Sequence, residues 1–480
     1  MRISFLTPPS FFHRQPAERS AGCTRVVVPV PNIYELTLAA TIRRDIGATV
    51  TLDDFTCGSK KIARFRHFAQ KHDRDFIFIW GVNLSYDDDL RALSELRKHR
   101  NDTPVVFVGP APTWQPARYL IDPHVFVLRG EPEHTACDLL ASLSADSSIA
   151  AIPGLSWCDH SGRIYNNVAR TIANSLDALP FPARDLIVGR VYHNPKLKTG
   201  PYTTAFTSRN CPYRCIFCVP SSLSFAREIE HKRSHGVKPP VAFRSICSID
   251  AEMEQIAAMG YKAVGFMDDN FIWDGKRTSA ICDIMRRHKL LWGCQARADA
   301  ITPEIAAMLA AGGCRYVDLG VESFDDRILA YIKKGETADD IRRAIRLLAD
   351  AGISVKLNVL IGSSPLETPS TVADTLREVR RLPVDQIMIN IVSPFPGTEY
   401  HKICMKNGWL KDGIYVPTDV QRHSSLRLPH LSARQMEQLL FHHNLRYFLS
   451  PRFIMRQLMR FRSAGEFAAA LKSLKLKLFG

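Results

Sequence analysis

The sequence predicts an α/β protein with an N-terminal doubly wound, Rossmann-like domain, a partial (β/α)6 barrel and an α-helical C-terminal region. Short apolar strands alternate with helices through most of the 480 residues, a pattern that favours parallel sheets with right-handed crossovers. The alternation occurs in two runs, 1–142 and 201–400. A proline-rich stretch with few apolar runs, 143–200, separates them, so we expect two domains joined by a linker. Residues 401–480 are predicted to be helical and basic.

Residues 1–142 contain the first run. Strands are predicted at Met1–Pro8, Val50–Asp53, Phe76–Trp80, Pro104–Gly109 and His124–Gly130, and helices at Ile33–Ile46 and Asp87–His99. Gly47 follows the first helix, where glycine commonly ends a helix. A doubly wound sheet binds its ligand in the crevice at the carboxyl ends of its strands, so we expect a cofactor site there.

Residues 201–400 contain the second run. Apolar residues at three- and four-residue spacing predict helices at Ala251–Met259, Lys276–His288, Pro303–Ala311, Ala338–Ala351 and Ser370–Arg381. Strands between them complete six units of a partial barrel, whose ligands bind at the carboxyl ends of the strands. Polar residues at those ends are therefore active-site candidates, although each one alone is more often a helix cap or a surface ion pair.

Three cysteines, Cys211, Cys215 and Cys218, have the spacing C-x3-C-x2-C. Three thiolates on a tight loop can hold a four-iron cluster in which one iron has no protein ligand, and an open position of this kind can bind a substrate. The alternative is a structural zinc ion. Zinc usually takes four protein ligands in two pairs, and no second C-x2-C pair or C-x2–4-H pair follows in the sequence. The spacing therefore favours a [4Fe-4S] cluster.

This loop resembles the signature of the radical S-adenosylmethionine (SAM) superfamily, and the downstream strands resemble the core of that family. The resemblance implies that SAM chelates the open iron and is cleaved to methionine and a 5′-deoxyadenosyl radical. It implies that Asp268, Asp269 or Asn270 holds the SAM amino group and that Glu322 lies near the ribose or methionine. The remaining cofactor-binding candidates are the loop aromatics Tyr213 and Phe217 and the strand-end residues Arg297, Ser323 and Ser393.

One turn departs from the family's pattern. The family commonly has Gly-x-Pro-Gly-Glu-Thr after the fifth strand, whereas here Ser364 is an extra residue before Pro365 and Leu366 replaces Gly. The family pattern therefore does not predict the backbone of this turn.

The N-terminal run resembles the cobalamin-binding domain that precedes the barrel in one large radical SAM class. The resemblance rests on Gly81–Ser85, Val108-Gly109-Pro110 and Arg129-Gly130-Glu131, and it implies that Gly81, Ser85, Gly109 and Gly130 line the cofactor. Two features depart from that class. Gly-Pro-Ala-Pro replaces the common Gly-Gly-Pro-His, and no Asp-x-His-x-x-Gly supplies a histidine to cobalt. A domain that kept the fold and lost the cofactor is the alternative.

The net charge of +15 is concentrated near the C-terminus, where residues 421–480 carry +9. After Ser450, basic and apolar residues recur at helical spacing, which is typical of basic amphipathic helices. Such helices either pack on the barrel or bind an anionic membrane surface. Aromatic residues are not interleaved as stacking platforms, so we expect no nucleic-acid partner. His442 and His443 are expected to be paired surface histidines on a helix.

The sequence also predicts the compartment. No apolar run approaches the roughly 20 residues of a membrane span, and the N-terminus has no secretory leader. The nine cysteines outside the loop are scattered, and we interpret them as buried, reduced thiols rather than a disulfide framework. We therefore expect a cytoplasmic protein that can sit peripherally on the inner face of the membrane.

Together these features predict a cobalamin-dependent radical SAM enzyme that methylates a hydrophobic metabolite or lipid, with an electron donor such as flavodoxin or ferredoxin. Radical-driven cyclisation, rearrangement or oxygenation of a pigment or lipid precursor is an alternative, because it needs the same cluster and SAM site. A methylthiotransferase is disfavoured, since no second cysteine triad lies upstream. The alternative outside catalysis is an inactive cofactor-binding sensor, and the intact cysteine triad with Glu322 argues against it.

Overall fold

The computed structural model describes residues 1–25, 30–100, 102–190, 192, 194, 196–197, 199–451 and 454. The chain divides into two compact units. The first unit comprises Met1–Pro212, Val219–Gln295 and Ala311–Cys314, and the second comprises Tyr213–Cys218, Ala296–Ala310 and Arg315–Gly480. The division therefore runs through the cysteine loop and the predicted barrel, and the predicted linker 143–200 lies wholly inside the first unit.

A seven-stranded sheet forms the N-terminal part of the first unit. Its elements are β1 (Arg2–Thr7), α1 (Ile33–Ile46), β2 (Thr49–Asp54), α2 (Lys61–Lys71), β3 (Phe76–Trp80), α3 (Tyr86–Arg97), β4 (Val105–Val108), α4 (Pro110–Trp114), β5 (Val125–Leu128), α5 (Glu133–Ser144), β6 (Leu155–Cys158) and β7 (Ile164–Asn166). The strand order is β2-β1-β3-β4-β5-β6-β7. Strands β1 to β5 pair in parallel, and β6 and β7 add an antiparallel edge. Part of the segment 143–200 thus extends this sheet.

Side-chain alternation along β3 shows why the sheet is covered on both faces. Phe76, Phe78 and Trp80 belong to one buried cluster, whereas Ile77 and Ile79 belong to the cluster on the opposite face. Parallel strands that are buried on both faces appear in sequence as continuous apolar runs. This property makes β3, β4 and β5 recognisable in the sequence.

Local signals fix the ends of the helices. The Asn32 side chain accepts the N–H of Glu35 at the start of α1, and Gly47 ends the helix with φ 69°. Glycine adopts this left-handed conformation without a steric penalty. Helix α2 was not predicted, because it is polar around most of its circumference and buries only Phe65 and Ala69.

The remainder of the first unit carries the start of the second run. Its elements are β8 (Tyr202–Ala205), β9 (Ser208–Arg209), α6 (Ser222–His235), β10 (Ala242–Phe243), α7 (Ile246–Ala258), β11 (Ala263–Phe266), α8 (Gly275–Arg287) and β12 (Leu291–Ala296). Strand β11 pairs in parallel with β8 and β12, and β9 pairs antiparallel with β10. Met267 follows the carboxyl end of β11 and leads into Asp268, Asp269 and Asn270.

The second unit repeats the alternation of strands and helices. Its elements are α9 (Pro303–Ala311), β13 (Cys314–Glu322), α10 (Asp326–Tyr331), α11 (Ala338–Asp350), β14 (Ser354–Ile361), α12 (Pro369–Arg381), β15 (Gln386–Ile391), α13 (Glu399–Lys406) and α14 (Ala433–Phe448). Strand β14 pairs in parallel with β13 and β15. Alternate residues of β14 are fully buried, while Lys356, Asn358 and Leu360 between them are only half-buried. One face of this sheet is therefore more open than the other.

Two expectations about single residues are corrected. His443 is buried rather than on the surface, and burial lowers its pKa to about 4. Among the nine cysteines outside the loop, Cys57 and Cys247 are exposed rather than buried, whereas five others are buried.

The predicted basic helices after Ser450 lie almost entirely outside the described residues. Among the described residues, no helix combines the length and the apolar character needed to cross a bilayer.

Candidate active site

The cysteine loop follows β9 directly. Cys211, Cys215 and Cys218 are each partly exposed, and none of the 12 cysteines forms a disulfide. In the second unit, the N–H of Ile216 donates to the carbonyl of Ile332 (3.1 Å), and the N–H of Tyr400 donates to the carbonyl of Ile216 (2.9 Å). Backbone hydrogen bonds therefore hold the middle of the loop.

The thiol donors themselves decide which metal group this loop fits. Within the part of the chain that the structure describes, no three His, Cys, Asp or Glu side chains already stand together as an assembled metal site. The three cysteines lie within eight residues and form no disulfide, so their sulfur atoms can serve as the thiolate ligands that iron–sulfur clusters require. Their number and chemistry therefore fit a four-iron cluster with one iron left open.

Asp268 is committed to holding the segment that precedes the cysteine loop. Its carboxylate accepts the N–H of Thr207 (3.0 Å), the hydroxyl of Thr207 (2.7 Å) and the hydroxyl of Ser208 (2.6 Å). Burial raises its pKa to about 6, against the lowering effect of these hydrogen bonds. With three donors already on it, Asp268 has little capacity left for the amino group of a ligand.

Asp269 joins the two ends of the cysteine loop. One carboxylate oxygen accepts the N–H of Asn210 at 2.8 Å, and the other accepts the N–H of Ser221 at 2.7 Å. Asn210 immediately precedes Cys211, and Ser221 is the N-cap of α6. The Asp269 carboxylate thus spans the whole stretch that carries the three cysteines.

Asn270 differs from both neighbours, because part of its side chain is unused. Its Nδ2 donates to the carbonyl of Ile272 at 3.0 Å. Its Oδ1 is buried and has no hydrogen-bond partner. Buried polar atoms are normally hydrogen-bonded, so an unpaired acceptor at this strand end is suited to an ammonium or another donor from a ligand. Of Asp268, Asp269 and Asn270, the last is the best placed for that role.

Arg297 stacks on the cysteine loop within the second unit. Its guanidinium carbon lies 3.6 Å from the centroid of the Tyr213 ring. Its Nη2 donates to Asp299 at 2.8 Å and lies 3.6 Å from Glu336. Arg297 therefore connects the end of β12 to an aromatic residue between the first two cysteines.

Glu322 ends β13 in a left-handed conformation with φ 63°. The pairing register between β13 and β14 also shifts between Gly320 and Glu322. A non-glycine residue in this region carries backbone strain, which is concentrated at functional sites. The Glu322 carboxylate lies 3.3 Å from Nζ of Lys334, and both side chains are more than nine-tenths buried. Burial raises the pKa of Glu322, and Lys334 opposes that effect.

Lys334 and Glu336 lie in the same cluster of charged side chains as Glu322 and Arg297, although the sequence did not predict them. Lys334 Nζ lies between the carboxylates of Glu322 and Glu336, 3.6 Å from the latter. Burial lowers the pKa of Lys334, but the carboxylates of Glu322 and Glu336, with a further contribution from Cys215, raise it above its ordinary value. Glu336 Oε2 is buried without a hydrogen-bond partner. The Lys-Lys-Gly run at 333–335 was a usable signal, because it stands where the family has it.

The other predicted residues have structural partners. The Ser323 hydroxyl accepts the N–H of Asp325 (3.1 Å) near the start of α10. Ser393 is buried and lies 3.5 Å from the hydroxyl of Tyr415. Phe217 is half-buried in the cysteine loop. Their contact with a cofactor stays a prediction.

The turn with the unusual sequence is closed by Glu367. Its carboxylate accepts the N–H groups of Gly362 (2.7 Å), Ser363 (2.7 Å) and Ser364 (3.1 Å). Leu366, which replaces the family's glycine, is 48% exposed. Three backbone donors on one buried carboxylate explain how the turn accommodates its extra residue.

The glycines at the N-terminal strand ends pack closely against protein. A Cβ on Gly81 would lie 2.9 Å from Pro112, and one on Gly109 would lie 2.6 Å from the carbonyl of Gly81. A Cβ on Gly130 would lie 3.3 Å from Glu230 on α6. Gly109 and Gly130 also have positive φ. Close packing accounts for these glycines, and their contact with a corrin stays a prediction.

Ser85 and the residues around Gly130 belong to buried polar networks. The Ser85 hydroxyl donates to Asp89 at 2.6 Å. Arg209 pairs with Glu133 at 2.6 Å and with Glu131 at 3.1 Å, and its side chain is only 1% exposed. Because Arg209 precedes the cysteine loop, these pairs tie the end of β5 to the start of that loop.

Residues 206–379 match the family described as the Radical SAM superfamily. Over 399 residues, the chain is 27% identical to an uncharacterised methyltransferase of Pyrococcus horikoshii, covering 81% of this chain and 82% of that protein. The family match includes the cysteine loop and the strand ends that carry Asn270, Arg297 and Glu322. The superfamily that the sequence predicted is therefore confirmed for this domain.

Two solved structures share the fold over nearly the whole chain. One is OxsB, a cobalamin-dependent SAM radical enzyme solved with aqua-cobalamin and SAM bound, with a TM-score of 0.70, 17% identity and coverage of 100% of this chain and 71% of that chain. The other is TsrM of Kitasatospora setae, a radical SAM methyltransferase solved with cobalamin and a [4Fe-4S] cluster, with a TM-score of 0.64, 20% identity and coverage of 85% and 75%. These likenesses confirm the predicted fold class.

Proposed function

Because residues 206–379 belong to the radical SAM superfamily, we propose that this chain cleaves SAM reductively and transfers a methyl group to an unactivated carbon. One observation carries the proposal: a cysteine triad is followed by strand ends that present Asn270, Arg297 and Glu322. The 27% identity to a protein named as a methyltransferase, over most of both chains, supports the choice of methyl transfer.

The cysteine triad would hold the [4Fe-4S] cluster. When bound, such a cluster supplies the electron that cleaves SAM at the open iron. Ile332 and Tyr400 fix the backbone of the loop at Ile216, the buried residue between the second and third cysteines. A small electron carrier such as flavodoxin or ferredoxin is the proposed reductant, because one-electron chemistry needs a donor outside this chain.

The SAM site would use the unpaired or strained groups. The buried Oδ1 of Asn270 can accept a hydrogen bond from the SAM ammonium. Glu322, held in a strained conformation beside Lys334, can accept hydrogen bonds from ribose hydroxyls. Arg297 and Lys334 supply positive charge suited to a carboxylate. These roles need only the side chains already present at the strand ends.

Cobalamin is the proposed methyl carrier. The N-terminal sheet has the doubly wound order whose strand ends bind cofactors. Gly81, Ser85, Gly109 and Gly130 all lie at those ends, and both structural neighbours were solved with cobalamin. When bound, cobalamin accepts a methyl group from SAM and passes it on.

The open face of the second unit's sheet supports a substrate with both apolar and hydrogen-bonding parts. Its half-buried positions include Leu360 and Met388, which are apolar, and Asn358 and Asn390, which are polar. Asn390 Oδ1 is buried without a partner. A hydrophobic metabolite or lipid that carries a hydrogen-bond donor fits this face. The basic tail would bring the enzyme to such a substrate at an anionic membrane surface.

The products of SAM separate the candidate activities. Methyl transfer by this route forms S-adenosylhomocysteine from the methyl donor and 5′-deoxyadenosine with methionine from the radical step. The anaerobically reconstituted protein, with SAM, cobalamin and a chemical reductant, should therefore form both products, measured by mass spectrometry. Formation of 5′-deoxyadenosine without S-adenosylhomocysteine would favour cyclisation, rearrangement or oxygenation. Formation of neither would favour the inactive sensor.

A further inference from the structure

We propose that Asp269 is a positioning residue that closes the cysteine loop and thereby retains the cluster, rather than a ligand of SAM. The inference rests on the proposed function, because it concerns the cluster that the loop would hold. It differs from the family expectation that a polar residue after this strand serves the SAM amino group.

Asp269 bridges the two ends of the cysteine loop. The carboxylate bridges the N–H of Asn210 and the N–H of Ser221, at 2.8 Å and 2.7 Å. Ten residues, Cys211 to Pro220, lie between these two points, and all three cysteines are among them. Hydrogen bonds from backbone N–H groups to a carboxylate are charge-assisted and stronger than neutral ones. One side chain therefore bridges the two ends of the loop, and the N–H of Asn210 is shared with the hydroxyl oxygen of Ser224 at 3.1 Å.

Both ends that Asp269 holds are themselves fixed. Asn210 has φ 71°, and its Nδ2 donates to the carbonyl of Ser224 at 3.0 Å while its Oδ1 accepts from Arg227 at 2.5 Å. Ser221 caps α6 by accepting the N–H of Ser224. The Asp269 carboxylate thus holds the loop at the start of α6, and the left-handed conformation of Asn210 directs the chain into Cys211.

The hydrogen bonds of Asp269 occupy both oxygens of its carboxylate, and its two polar neighbours have different partners. Asp268 holds Thr207 and Ser208, and Asn270 retains an unpaired acceptor. Burial raises the pKa of Asp269, while its hydrogen bonds to Ser224, Ser221 and Asn210 lower it. Asp268 and Asp269 therefore hold the loop and the segment before it, whereas Asn270 keeps an acceptor for the ligand.

The test uses Asp269→Asn in the reconstituted holoenzyme. An amide has a single acceptor oxygen, and its NH2 group would face one of the two N–H donors, so one end of the loop should be released at almost unchanged volume. We expect an iron chelator to remove iron from the variant about tenfold faster than from the wild type, as for the loss of one charge-assisted hydrogen bond. SAM affinity of the cluster-loaded protein should change less than threefold, and the EPR spectrum of the reduced cluster should broaden.

The matched control is Asp274→Asn. Asp274 also accepts a backbone N–H, that of Arg277 at 2.8 Å, but at the exposed start of α8. Its iron-release rate should equal that of the wild type. A rate for Asp269→Asn equal to that of the control, or a loss of SAM affinity larger than the gain in iron release, would overturn the inference while leaving the proposed function intact. A wild-type protein that holds no four-iron cluster would overturn both.

A second measurement covers the case in which Asp269→Asn does not fold. Hydrogen exchange in the wild-type holoenzyme should show protected amides at Asn210 and Ser221. Rapid exchange at both would overturn the inference without any variant.

Discussion

The guanidinium of Arg297 lies over the ring of Tyr213, 3.6 Å from its centroid, so a residue at a strand end and an aromatic residue between two cysteines form one contact. Arg297 also donates to Asp299 and approaches Glu336, which neighbours Lys334. The loop and the strand ends of the second unit thus share one charged network. A substitution at any member of this network should therefore shift the side chains of the others.

The cysteine triad is expected to be indispensable. Replacing Cys211, Cys215 or Cys218 with Ala leaves two thiolates, which hold a four-iron cluster poorly. We expect each variant to lose the EPR signal of the reduced cluster and to form no 5′-deoxyadenosine. Cys247→Ala, at an exposed cysteine outside the loop, should retain both. Full iron content in the triple Ala variant would exclude the assignment.

SAM affinity should depend on Glu322 and Asn270. Glu322→Gln and Asn270→Ala should each weaken SAM binding about tenfold, the effect of one hydrogen bond to a charged or polar group. Isothermal titration of the cluster-loaded protein measures this, and Glu304→Gln on the exposed start of α9 is the control. Unchanged affinity in both variants would show that SAM does not contact these residues.

Arg209 should contribute strongly to stability. Arg209→Gln removes the buried ion pair of Glu133 and leaves Glu131 with Arg227 alone, and breaking a buried pair costs about 3–5 kcal/mol. Arg43→Gln breaks a more exposed pair with Asp185 and should cost about 1 kcal/mol or less. Urea unfolding followed by fluorescence compares the two. Equal losses would mean that the Arg209 pairs are screened by solvent.

Glu35 should make stability depend on pH. Burial raises its pKa to about 7, against the lowering effect of Arg19, whereas its pKa in the unfolded chain is near 4.5. Between these values the folded state binds more protons, so its contribution to stability is present at low pH and is lost as pH rises through 7, by up to about 3 kcal/mol. Urea unfolding at pH 5 to 8 should show this decline in the wild type and a smaller one in Glu35→Gln. Parallel profiles would contradict the prediction.

The basic tail should bind anionic membranes. Each Lys or Arg near such a surface contributes about 1 kcal/mol, and eight of them follow residue 440. We expect the full-length protein to co-sediment at low salt with vesicles of phosphatidylcholine and phosphatidylserine, but not with phosphatidylcholine alone. Deleting residues 464–480 should abolish co-sedimentation and leave the iron content unchanged. If the full-length protein co-sediments with neither kind of vesicle, the tail is a packing element instead.

Much of the fold was predictable because its signals are local. Helix α1 was predicted with its observed ends, since Gly47 directly follows it as a stop signal. Helix α2 was missed because only two of its side chains are buried. Strands β6 and β7 were missed because antiparallel edge strands in a proline-rich segment carry no long apolar run.

The candidate site was predictable in its residue types but not in their partners. Cysteine spacing and chain order predicted the triad, Arg297 and Glu322 as site residues. They could not show that Asp268 binds Thr207, some 60 residues away, and that Asn270 keeps an unused acceptor. The positive φ of Glu322 was equally hidden, because it follows from a register shift between two strands.

The ion pairs between Arg209 and the glutamates after β5 have a consequence for how this protein can be divided. A fragment that starts at residue 201 would keep Arg209 and Arg227 but lose the carboxylates that neutralise them. It would also remove the indole of Trp80, whose N–H is bonded to Ser222 at 3.0 Å. The N-terminal domain therefore cannot be removed without leaving these side chains unpaired. Expression of the catalytic core alone should yield insoluble chain, and any exchange of N-terminal domains between relatives must carry the matching face of α6 with it.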